Sequence, residues 1–142
     1  SNQRKSMARG RAATFRVNAP QPFGTDRPTG HEGRLIARFD RVDFPRRHND
    51  LLVNVFVNCP YLDENVPATD PHYAGTFTGF GMTGQQLEDR QIYVDITRPL
   101  LNQINQGRSQ SNVDIQLMPI SANPAFRAQS TLSAENAALL RI

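Results

Sequence analysis

Apolar and polar positions alternate most cleanly over residues 50–58. Val53, Val55 and Val57 fall on one face of an extended chain there, and Asn54, Phe56 and Asn58 on the other. This predicts the principal strand. Cys59-Pro60-Tyr61-Leu62-Asp63-Glu64-Asn65-Val66-Pro67 follows, two prolines bracketing a polar turn. Nothing local gives Tyr61 and Leu62 a reason to be buried, so the loop is expected to present them to a surface outside the chain.

The same alternation marks the other elements. Residues 13–17 fit an edge strand. Leu35, Ala37 and Phe39 alternate within 33–44, Val42 and Phe44 resume the spacing after a bulge at Asp40, and the five-residue turn 45–49 makes this strand the hairpin partner of 51–58. Residues 73–80 set Tyr73 and Phe77 on one parity among small residues, which predicts a strand near the centre of a sandwich. Residues 91–97 form the next strand. Its Thr97 is placed to cap a short helix with Pro99 early, an apolar stripe of Leu100, Leu101 and Ile104, and Gly107 at its end. Residues 112–120 alternate from Val113 to Leu117 and are expected to stop at Pro119. Residues 132–142 read as a closing strand, although Ser133-Ala134-Glu135 could open a helix. Residues 18–33 hold three prolines and three glycines and predict a long irregular loop. Short strands separated by turn signals, with one short helix, describe an all-β fold: an antiparallel β-sandwich.

The chain of 142 residues has room for one core. Its net charge of +3 is concentrated at one end, because Arg4, Lys5, Arg9 and Arg11 stand in the first eleven residues with no acid among them. The +3 less those four leaves −1 for the remainder. Residues 1–12 are therefore expected to be a basic flexible linker and 13–142 the domain, with no nucleic-acid partner. No apolar run is long enough to span a bilayer, so no membrane partner is expected. One cysteine excludes an internal disulfide.

The chemistry-bearing residues are sparse. His31, His48 and His72 are scattered through loops at no ligand spacing and are expected to be solvent-exposed. Cys59 has no base beside it in sequence and reads as a small, partly buried residue ending a strand. Cys59, Met82 and Met118 could hold Cu(I) only if they converged. No paired carboxylates, nucleophile elbow or triad order stands out, so the chain reads as non-catalytic.

Val55-Phe56-Val57-Asn58, then Tyr73-Ala74-Gly75-Thr76-Phe77 with Phe80-Gly81, then Tyr93-Val94-Asp95-Ile96-Thr97 and residues 113–119 resemble, in this order, the C-terminal domain of tyrosinases and polyphenol oxidases. The pattern is also similar to the C-terminal sandwich of molluscan hemocyanin units. The resemblance spans residues 33–120. It implies a non-catalytic lid on a binuclear copper oxidase, with copper bound by histidines of a separate catalytic domain of the same polypeptide and no cofactor in this domain. It also implies that the lid shields the copper-site entrance by inserting one side chain, which keeps the enzyme latent. The plug candidates are Tyr61, whose ring mimics a phenol, then Leu62 and Phe80, on a docking loop containing Cys59, Pro60 and Asp63. The Cys-x-x-Cys pair that some lids use to load copper is absent, and Met82 stands where the family often has histidine. Two other readings remain: a free-standing protein- or ligand-binding module, and a copper-loading maturation partner.

Overall fold

A computed structural model describes residues 4–19, 33–43, 51–78, 91–107, 111–121 and 132–141. These contain β1 (Lys5–Met7), β2 (Ala13–Asn18), β3 (Leu35–Asp40), β4 (Leu51–Val57), β5 (Tyr73–Thr78), β6 (Gln91–Asp95), α1 (Thr97–Asn105), β7 (Asn112–Ser121), β8 (Leu132–Ala134) and β9 (Asn136–Arg141). All pairing is antiparallel. A four-stranded sheet β2-β7-β4-β5 and a three-stranded sheet β6-β3-β9 form the sandwich, with β1-β8 as a two-stranded ribbon.

The alternation of β4 does what its sequence predicts. Val53, Val55 and Val57 enter the core with Leu35, Ala37 and Phe39 of β3 and with Phe15, Val113, Ile115 and Leu117. The Phe39 ring lies between Phe15 and Phe77, with centroids 6.2 and 6.1 Å away. Each such side chain contributes roughly 1.5–3 kcal/mol on burial. The opposite face of β4 is also covered, and Phe56 there is fully buried with Cys59 and Met118.

Several expectations are corrected. β3 does not pair with β4; it lies in the other sheet between β6 and β9, while β4 pairs with β5 and β7. Two strands that share a core face can face each other across the sandwich as readily as side by side, and alternation alone does not separate the two arrangements. Tyr73 and Phe77 do not share a face. Gly75 pairs with Val55 but Tyr73 pairs with Phe56, so Ala74 is the extra residue of a bulge. The bulge turns Tyr73 toward the Phe56 cluster, while Phe77 stays on the main core. Among the described strands β5 lies at the edge of its sheet, not at its centre. The bulge expected at Asp40 is instead a break at Arg41 (φ 52°), after which Asp43 pairs with Ser133.

β7 runs through Pro119 rather than stopping there. The Pro119 carbonyl accepts from Gly10 N–H at 3.1 Å, on the side away from β4, so its missing N–H faces that side too and the β4 ladder is intact. Thr97 is not the helix cap: its hydroxyl accepts from Leu35 N–H (2.7 Å), and Asp95 receives the Thr97 N–H (2.9 Å). Gly107 at φ 85° closes the helix as expected, donating to Ile104 O. Residues 132–141 form two strands, not a helix.

The expected linker is also part of the fold from Lys5 onward. β1 pairs with β8, and Met7 is fully buried. Its basic character obscured this, because a three-residue strand carries one buried side chain and no periodicity to detect. Met7→Ala is therefore expected to cost about 2–5 kcal/mol, measured by urea denaturation; a true linker residue would cost nothing.

Asp95 sets a pH dependence. Burial pushes its carboxyl up, but hydrogen bonds from Thr97 and from Arg34 (Nε to Oδ2, 2.7 Å) outweigh that and hold it below its ordinary value. A carboxyl depressed in the folded state stabilises the fold above its unfolded pKa, and that contribution is lost as pH falls through the folded value. From about pH 4 downward the wild-type chain should lose denaturant resistance more steeply than Asp95→Asn, as urea titrations at stepped pH would show.

Candidate functional site

The residues after β4 leave the sheet abruptly. Asn58 adopts φ 54°, a left-handed conformation that asparagine tolerates better than most residues. Its side chain is fastened on both sides: Oδ1 accepts from Asp114 N–H (2.7 Å), and Nδ2 donates to Gln103 Oε1 (3.0 Å). Gln103, buried on α1, donates through Nε2 to Val57 O at 3.0 Å. His72 Nδ1 lies 2.9 Å from the same carbonyl. A carbonyl only accepts, so Nδ1 carries the proton, and the 3.3 Å approach of Gln103 Nε2 to Nδ1 is that of two donors sharing one acceptor. The next residue is clamped by Gln116, which accepts from Cys59 N–H (2.7 Å) and donates to Cys59 O (2.9 Å).

From this anchor the 59–71 loop runs outward. Asp63 caps its own turn, accepting from Asn65 N–H at 2.8 Å, and Pro60 and Asp63 are exposed. Leu62 and Val66 turn back onto the Phe56–Cys59–Met118 cluster, which Ala12 also contacts. Arg9 reaches Glu64 at 3.8 Å. Tyr61 is the large side chain of the loop that stays at the surface, 53% exposed. Its hydroxyl donates to Asp70 Oδ2 (2.7 Å), and its ring meets His72 edge-on with centroids 5.7 Å apart. Asp70 Oδ1 accepts from His72 N–H (2.8 Å), so one carboxylate holds both the tyrosine and the far end of the loop.

Of the sequence candidates, Tyr61, Pro60 and Asp63 share this exposed loop, Leu62 packs on its own domain, and Phe80 lies outside the described residues. His72 is not a surface histidine: it is 7% exposed. His31, His48 and Met82 also lie outside the described residues. Cys59 is 3% exposed, and burial pushes its thiol up. Among the described residues no three His, Cys, Asp or Glu side chains converge, and the protonated nitrogen of His72 is directed at Val57 O. These residues do not fit a copper ion.

Beside the loop lies a groove of about 580 Å³. Thr69, Asp70 and Pro71 of the loop, Tyr73 and Ala74 of β5, and Arg98, Pro99 and Asn102 of α1 line it. Sequence reasoning missed Gln103, Gln116, Asp70 and this groove.

No protein-family model matches the sequence, and no curated protein does. Solved structures match the fold: nearly the whole chain superposes on part of latent tyrosinase and polyphenol oxidase structures, in agreement with the resemblance read from the sequence. Latent apple tyrosinase matches with a TM-score of 0.64 at 15% identity, over 96% of this chain and 27% of that one. Latent aurone synthase, a polyphenol oxidase, matches at 0.57 in a recombinant form, with 16% identity over 92% of this chain and 23% of that one. The natural-source enzyme matches at 0.53 over 91% and 24%. The chain thus spans about a quarter of the length of the proteins it matches.

Leaving Val57 O and the Asn58 amide without Gln103 is expected to cost about 1–3 kcal/mol. Gln103→Ala should lower the urea midpoint accordingly, and should also speed reaction of a thiol reagent with Cys59, which in the wild-type chain should react only as fast as the loop opens.

Proposed function

We propose that this chain is the C-terminal, active-site-shielding domain of a tyrosinase-like copper oxidase, itself without catalytic activity. The observation that carries this reading is the asymmetry of the structural match: nearly the whole chain superposes on about a quarter of enzymes described as latent. The copper would belong to the catalytic domain of the same polypeptide.

The loop geometry supports the reading. A stiff anchor at Asn58 carries an exposed phenol whose hydroxyl rests on one carboxylate. Tyr61 is the plug we assign, since its ring has the shape and polarity of a phenolic substrate and about half its surface is exposed. A tethered side chain acts at an effective concentration of order millimolar, so even weak docking excludes a free phenol. Leu62 serves instead to seat the loop. The burial of Cys59 counts against a copper-loading role, because its sulfur is closed to an incoming ion.

The full-length gene product should oxidise diphenols slowly until the domain is released by proteolysis. Tyr61→Ala should raise the unreleased rate by about tenfold or more, the scale of one anchor side chain at an interface. Equal rates before and after release would instead support a free-standing binding module.

A further inference from the structure

The groove beside the Tyr61 loop holds an unused cation. Arg4, Arg9, Arg16, Arg34, Arg38 and Arg41 each have a carboxylate within 4.0 Å. Arg98, like Arg11, has none among the described residues, and Arg98 lines the same groove as Asp70. Asp70 is already committed: Oδ2 accepts from the Tyr61 hydroxyl and Oδ1 from His72 N–H. Asn102 stands one helical turn beyond Arg98 on the same side of α1 and adds an exposed carboxamide. Pro71 and Pro99 also line the space, each with a fixed φ and no N–H of its own.

We propose that this groove receives an acidic side chain of the catalytic domain, with Arg98 as its counter-ion and Asn102 as a second donor. The inference rests on the shielding reading above and extends its interface from one anchor to two. A guanidinium on an open surface gains little from a carboxylate. Inside a groove from which the incoming chain displaces water, the same pair is stronger and fixes orientation. The two anchors are joined through Asp70, which borders the groove and holds the Tyr61 hydroxyl, so a carboxylate on Arg98 would register the phenol over the site it blocks.

The test is the ratio of unreleased to protease-released diphenol oxidation in the full-length gene product carrying Arg98→Glu or Arg98→Gln, with Tyr61→Ala alongside. Arg98 is exposed, so neither substitution should disturb folding, and a thermal melt confirms this. The expected result is a rise of about tenfold for Arg98→Glu and a smaller one for Arg98→Gln. Added salt should weaken latency in the wild type and have less effect in Arg98→Gln. If Tyr61→Ala opens the enzyme and Arg98→Glu does not, the groove proposal is overturned while the shielding reading stands. If release opens the enzyme but neither variant does, the groove proposal and the assignment of Tyr61 as the plug both fall while shielding stands; if release does not open it either, the shielding reading falls too. Loss of a dimer in Arg98→Glu with latency unchanged would assign the groove to a second copy of the chain and also overturn the proposal.

Discussion

The carbonyl of Val57 is where the sandwich hands over to its loop. It ends the strand at the heart of the larger sheet and accepts from both His72 and Gln103, side chains delivered by the far end of the loop and by the helix. A buried acceptor with two donors forms only when all three elements are in place, and each donor left alone would carry a desolvation cost. The left-handed turn at Asn58 is stabilised by the same group, since its carboxamide bonds to Gln103 and to the backbone of β7. Strand, helix, loop and neighbouring strand therefore close around one point, and the exposed phenol stands a few residues beyond it.

The second face of β4 makes this possible. In a sandwich the outward face of a central strand usually meets water. Here Phe56 is fully buried instead, with Tyr73 edge-on to it at 5.7 Å and Cys59 and Met118 beside it. The loop is the cover for that face, and Leu62 and Val66 are its undersurface. The bulge at Ala74 belongs to the same construction, because it turns Tyr73 onto this small outer cluster rather than the main core. The turn before β2 adds a third edge through Ala12 and the Arg9–Glu64 contact.

Much of this was legible from residues alone. The valines of β4, the alternating Leu35, Ala37 and Phe39, the short helix closed by Gly107 and the all-β class follow from period and punctuation, which are local. What failed was non-local. Whether two strands lie side by side or face to face depends on the paths between them, so β3 was assigned to the wrong neighbour. A one-residue bulge reverses every later parity without a mark in composition, and this misplaced Tyr73. His72 looked like any loop histidine, since the carbonyl its ring holds lies 15 residues away. Gln103 did leave a trace: it falls three residues after Leu100, on the apolar stripe of α1, and a polar residue there needs a buried partner.

The pairing of β1 with β8 bears on mechanics. A polypeptide that leaves a domain from a loose tail can swivel freely. Whatever precedes Arg4 leaves this one from a hydrogen-bonded ribbon, with Met7 driven into the core and Arg4 gripping Ser133 and the Arg41 carbonyl. A pull along the chain at Arg4 would load the ribbon in shear before it reached either sheet.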